Sequence, residues 1–242
     1  MIQTYHISLT TLSRLLLFLA LPLYHLTTLP LAALEPGSFY TDGPRDRKAI
    51  ALTFDDGPGE YTKQVLDILD RYRIKATFFM NGDQVELRPE TAREVLKRGH
   101  EIGDHTYSHI NFYSYLKKNG LEKTRGKIGD EIGKSKGIIE KTTGVSPRIC
   151  RMPNGFNKPW MKDIAKTFGY SLVNWTFGED WQKVSGEKMI EDYRSHVRPG
   201  AILLLHDGGK NRTKTVQALP GIIEEAQARN IFILTVGELL KN

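Results

Sequence analysis

The stretch AIALTFDDGPGE, residues 49–60, sets an apolar run ahead of two adjacent carboxylates, Asp55 and Asp56, and closes on a Gly57-Pro58 turn. A short apolar run bounded by a turn reads as a strand buried on both faces, so the aspartates fall where such a strand ends. Adjacent negative charges repel, and consecutive strand residues point to opposite faces. The pair can therefore share one site only where the strand breaks, and a cation there would relieve the repulsion.

A cation needs further ligands, and HEIGDHTYSH, residues 100–109, supplies His105 and His109. Their spacing of four predicts two imidazoles on one side of a helical turn. Two imidazoles and one carboxylate leave coordination positions open for water and substrate, as in a catalytic metal centre. We assign Asp56 to the ion and Asp55 as general base, although spacing alone would let the two exchange roles. LLLHDG, residues 203–208, ends a strand on His206, which suits a general acid. Leu204, on the same strand face by period two, would wall a small apolar pocket. In RICRMPNGFN, residues 148–157, Arg151 can pair with a carboxylate and hold it, and the turn can aim the Asn154 N–H at developing negative charge. NWTFGEDWQ, residues 174–182, adds Trp175, Asp180 and Trp181 as candidates for substrate contact or rim packing.

Around these motifs short apolar runs alternate with helical patterns. Strands are expected at 49–55, 75–80, 100–105, 148–152, 171–175, 201–206 and 231–236, and helices at 61–72, 89–99, 130–144, 158–169, 187–197 and 216–230. This repetition predicts an α/β fold with a parallel sheet, and about seven such units would close into a barrel. The candidate residues fall at carboxyl ends of strands, where α/β folds place their sites.

The 242 residues suffice for one catalytic-size domain. An excess of 34 Lys and Arg over 28 acids suits an anionic polymer or surface. The basic residues neither cluster with aromatics nor form a recognition motif, so no nucleic-acid partner is expected; the densest run, residues 117–141, interleaves Asp and Glu and reads as a solvated helix face. Cys150 is the single cysteine, so no intrachain disulfide can form. Residues 1–34 hold an apolar core after Arg14, with Ala32 and Ala33 before EPGS. They read as a signal peptide or N-terminal membrane anchor, which places the protein outside the cell or in its envelope. The polar residues 35–48 read as a linker, and 49–242 as the catalytic domain.

TFDDG, HTYSH, RMPNG, EDW and LLLHD stand in the order and approximate spacing of the polysaccharide deacetylases, the family four carbohydrate esterases, and the resemblance spans about residues 48–236. It implies a distorted (β/α) barrel and a divalent metal, often zinc, with cobalt or another divalent ion as alternatives. It also implies Asp56, His105 and His109 as ligands, Asp55 as base and His206 as acid, which settles the order of the aspartates. The chain departs from the family pattern twice: Asn154 stands where the third motif commonly has Tyr, and Phe177 where the fourth usually has Asp, which leaves open the acid that tunes His206, with Asp180 beside Trp181 as a candidate. The expected activity is N-deacetylation of a polysaccharide by a monomer. Peptidoglycan amino sugars rank before chitin or chitooligosaccharides, and O-acetylated xylan comes third. An inactive wall-binding protein is the alternative of another class; a two-carboxylate glycosidase would not need His105 and His109.

Overall fold

Strand β2 (Ala49–Gly57) is buried from its first residue through Asp55. It belongs to a computed structural model that describes residues 34–241, so the expected signal or anchor lies outside the described residues except for Leu34. Its neighbours are β3 (Thr77–Met80), β7 (Ile202–His206) and, at its start, β8 (Phe232–Leu234), all parallel to it. The sheet continues from β3 through β4 (Glu101–Asp104), β5 (Ile149–Cys150) and β6 (Ser171–Val173) to β1 (Phe39–Tyr40), and every pairing is parallel.

Period-two alternation sorts β2 into two cores. Ile50, Leu52 and Phe54 pack with the helices, in one cluster with Val65 and Leu69 of α1 (Thr62–Tyr72), Val95 of α3 (Pro89–Lys97), Met189 and Tyr193 of α7 (Gly186–Ser195), and Leu219 and Ile222 of α8 (Thr213–Ala228). Ala49 and Ala51 face the other way, toward Phe79, Ile149, Val173 and Ile202 on the concave side. Thr53 and Asp55 continue that inward face, so the alternation which builds the core also delivers a carboxylate to the strand end.

The parallel sheet bears out the expected α/β fold, but its strand ladder is not closed into a full barrel. Its edges are β1 and β7, and among the described residues no strand pair joins them. The gap is spanned by one backbone bond, Gly43 N–H to Gly200 O at 2.7 Å, and one isolated parallel bridge, Phe177 with Leu203, made by Thr176 N–H to Ile202 O and Leu204 N–H to Phe177 O, each at 2.8 Å. β1 is only two residues long, and β6 stops at Val173, so neither reaches far enough to complete a ladder with β7. Residues 35–48 are more than a linker: they carry β1, and Gly37 N–H donates to Tyr170 O at 2.7 Å, so the folded unit begins before residue 48.

The basic run forms α4 (Phe112–Asn119) and α5 (Leu121–Thr143). In α5, Thr124, Ile128, Glu131, Ile132, Ser135 and Ile139 are buried at helical spacing, which leaves most of the lysines on the other side. Gly144 ends the helix in the left-handed conformation that glycine adopts at low cost. The sequence pattern did not indicate α2 (Gly82–Leu87), α4 or α9 (Val236–Leu239): α2 and α9 span six and four residues, too few to display an apolar period, and α4 buries only Phe112, so it carries no apolar stripe. The helix expected at 158–169 is α6 (Met161–Phe168). No helix among the described residues is long and apolar enough to cross a membrane.

Candidate active site

The end of β2 resolves how two consecutive strand residues share a site. Asp55 pairs in register with Phe79 and Gly57 with Met80, so Asp56 is bulged out of the ladder. Its φ of 67° is left-handed, a conformation that Asp tolerates better than most side chains. The bulge turns Asp56 to the side already occupied by Asp55. Gly208 lies against the Asp56 carbonyl so closely that a Cβ there would collide with it.

His105 and His109 do not sit on a helical turn. They lie on an irregular loop after β4 in which Thr106 and His109 have φ of 65° and 52°, and the loop, rather than helical periodicity, brings their ring centroids to 5.1 Å. The loop is held from three sides. Asn81 Nδ2 donates to His105 O at 2.9 Å, the α2 amides of Gly82 and Asp83 donate to Thr106 O and Tyr107 O at 3.0 and 3.1 Å, and Glu131 of α5 accepts from Ser108 N–H at 2.7 Å. Asp104, a buried carboxylate on β4, accepts from Thr106 N–H at 2.8 Å and from the Tyr170 hydroxyl at 2.7 Å.

His105 Nδ1 lies 2.6 Å from the carbonyl oxygen of Arg151, a contact that requires a proton on Nδ1 and turns a bare Nε2 into the site. That Nε2 is 3.6 Å from both Asp55 Oδ2 and Asp56 Oδ1, and His109 Nε2 is 3.4 Å from Asp56 Oδ1. One ligand atom each from Asp56, His105 and His109 falls within 4.8 Å of the others. Asp56 Oδ1 is buried and accepts no hydrogen bond from the described residues, a costly state for a carboxylate oxygen. Burial drives His105 below the ordinary histidine range against the attraction of Asp55 and Asp56, which favours the neutral ring a metal requires. For Asp56 burial acts upward, but His105, His206, His109 and Arg212 outweigh it and hold the carboxyl below its usual value. The nitrogen and oxygen donors, the bare imidazole nitrogen and the orphaned oxygen fit a divalent ion.

Asp55 is held differently. Arg151, fully buried beneath the cleft, donates to Asp55 Oδ1 at 2.7 Å, Thr53 Oγ1 at 2.8 Å, Asn174 O at 3.0 Å and Val173 O at 3.1 Å. Its guanidinium also sits 4.1 Å from the centre of the Phe79 ring. Asp55 Oδ2 is left facing His105. Across β7, His206 is the register partner of Asp55. Its Nδ1 lies 2.7 Å from Asp180 Oδ1, while Asp180 Oδ2 accepts from His206 N–H at 2.8 Å and from Thr215 Oγ1 at 2.7 Å. Burial acts downward on His206, but the hydrogen bond and charge of Asp180, with Asp55 and Asp56 behind, carry it above the ordinary histidine value. A raised histidine holds its proton to higher pH than a free imidazole, the direction a general acid requires. Tyr193 fixes the segment that carries Asp180, accepting from Glu179 N–H at 3.0 Å and donating to Leu204 O.

These groups open into one cleft of about 1050 Å³ that also exposes Leu204, Trp175, Trp181, Met152 and Asn154. A smaller cavity of about 460 Å³ adjoins it at Asp56 and His109. Every candidate from the sequence lines the larger cleft except Arg151, which lies under it and acts on Asp55. Asn154 is left-handed at φ 57°, in a short turn at the cleft wall. Phe177 stacks flat on His196 at 3.7 Å, away from His206, and Asp180 occupies the place beside the histidine. Sequence reasoning missed Asn81, Glu131, Thr215 and Arg212. Only Asn81, immediately after the strand at 77–80, had a position that could have flagged it.

A family model described as polysaccharide deacetylase matches residues 42–173. A peptidoglycan-N-acetylglucosamine deacetylase of Bacillus cereus is 38% identical over 213 residues, covering 86% of this chain and 96% of the relative. Among solved structures, a peptidoglycan N-acetylglucosamine deacetylase in complex with 4-naphthalen-1-yl-N-oxidanyl-benzamide matches with a TM-score of 0.76 at 28% identity, over 85% of this chain and 93% of that one. A family four pseudoenzyme from Bacillus anthracis matches with a TM-score of 0.75 at 26% identity, over 84% of this chain and 69% of that one.

Proposed function

The chain belongs to the polysaccharide deacetylase family, and from that membership we propose that it is an exported, divalent-metal-dependent hydrolase that removes N-acetyl groups from the amino sugars of peptidoglycan. The observation that carries the reading is the meeting, in one cleft, of a three-residue donor set with a carboxylate on one side and a raised histidine on the other.

Asp56, His105 and His109 would hold the ion, zinc in our reading, which when bound would supply Lewis-acid polarisation of the acetyl carbonyl and lower the pKa of a bound water. Asp55 takes the proton of the attacking water on Oδ2, the oxygen that Arg151 does not engage. The Asn154 N–H offers a donor to the developing oxyanion. His206 gives its proton from Nε2 to the departing amine, and Asp180 on Nδ1 stabilises the protonated ring. Leu204 receives the acetyl methyl, and Trp181, half exposed at the rim, offers a face for a sugar ring.

Peptidoglycan is preferred over chitooligosaccharides because the Bacillus cereus relative, 38% identical along nearly its whole length, is named for peptidoglycan, and because a net charge of +6 suits an anionic wall. The wall-binding alternative finds little support, because ligands, base and acid all stand together. The test is acetate release by the full chain, stripped of metal and reloaded with zinc or cobalt, from peptidoglycan and from N-acetylglucosamine oligomers. Metal-restored release from peptidoglycan is expected; a metal-loaded protein that releases acetate from neither polymer would refute the enzyme reading.

A further inference from the structure

The two adjacent aspartates each have an arginine, and only one of the two arginines enters the reaction described above. Arg212 lies in the segment between β7 and α8, 5% exposed, with Nε donating to Gly208 O at 2.7 Å and Nη2 donating to Asp56 Oδ2 at 3.4 Å. Gly209 closes the same side: a Cβ built on it would stand 2.9 Å from Asp56 Oδ2. The other oxygen, Oδ1, is the buried one without a hydrogen bond, and it faces both His105 and His109. The carboxylate is thus divided, one oxygen against protein and one toward the donor set.

We infer that Arg212 is a positioning residue that reserves Asp56 Oδ2, so that Asp56 offers the ion a single oxygen and the remaining coordination positions stay open for water and substrate. A carboxylate can bind a cation through one oxygen or two. With two adjacent acids in the cleft, a second oxygen from Asp56 would fill a position that hydrolysis needs. A guanidinium suits this task because it stays charged and its fork can hold Gly208 O and Asp56 Oδ2 together. The inference rests on Asp56 being a metal ligand, as proposed above.

The full chain loaded with cobalt reads both claims separately. Cobalt binding by the wild type, lost in His105→Ala, tests the ligand set; failure there brings down the ligand reading and this inference with it. Arg212→Met tests the inference alone. Cobalt should still bind, its visible absorption should weaken as the coordination number rises, and kcat should fall about tenfold to a hundredfold with KM little changed. Arg212→Lys, which keeps a cation beside Oδ2 but loses the fork, should recover part of the rate and the absorption. A wild-type cobalt spectrum in Arg212→Met, loss of cobalt binding by it, or an Arg212→Lys no better than Arg212→Met would overturn the inference. Should Arg212→Met fail to fold in a thermal melt, Arg212→Gln carries the same measurement with the same outcomes.

Discussion

The site has a half built on strands and a half built on loops, and Asp55 and Asp56 are the last residue of one and the first of the other. Asp55 sits in register between β3 and β7 and is pinned by a fully buried Arg151, and His206 is its partner on the next strand. Asp56 is bulged, left-handed and only partly covered, and its neighbours His105, His109 and Arg212 all come from irregular segments. Strand geometry holds Asp55 and His206, the proposed proton-transfer groups, at set positions, whereas the proposed donor set depends on loop anchors that are individually modest. Damage to the two halves should therefore look different.

The largest contrast comes from the ligands. His105→Ala should lose the ion and lower turnover about a thousandfold or more, with little change in thermal stability, as metal analysis beside a melt would read; retained metal would break the contrast. Next is Arg151→Met, which leaves Asp55 buried without its partner. It should cost about 3–5 kcal/mol in denaturant unfolding, and a loss below about 1 kcal/mol would mean the strand half is not held as described. On the loop side, Glu131→Ala frees Ser108 and should weaken metal binding about tenfold to a hundredfold in a chelator competition. The pH dependence sharpens the strand half further. His206 is raised, so its acid form is present below that pKa and lost as pH rises through it, and kcat should fall on the alkaline side. Asp180→Asn removes the main upward influence and should move that fall to lower pH; an unmoved limb would assign it to another group. The smallest effect belongs to Thr215→Val, which deletes one bond to Asp180 and should cost about 1 kcal/mol with a minor shift of the same limb.

The same division governs how much was legible in the sequence. The strand half was legible as strand ends: the apolar runs of 49–55 and 201–206 close on Asp55 and His206, and period two sets Leu204 on the face of His206. The loop half was legible only as composition and spacing. His105 and His109 were found together, but the helical turn expected to join them is absent, because positive φ at Thr106 and His109 folds the loop by another route. The orientation of Asp56 comes from a bulge that no periodicity reports. Arg212 and Asp56 are 156 positions apart, and neither residue signals the other until β7 is laid beside β2. Asp180 was open as the acid for His206, since the motif position usually held by Asp is Phe177; the structure puts Asp180 against Nδ1 and Phe177 against His196.

The central claim is that the adjacent aspartates divide the labour, and the direct test compares Asp55→Asn with Asp56→Asn for bound zinc and for acetate release in parallel. Asp55→Asn should keep about one equivalent of zinc while losing turnover by about a thousandfold, and Asp56→Asn should lose both. Zinc lost from Asp55→Asn but kept by Asp56→Asn, or turnover surviving in Asp55→Asn, would contradict the account.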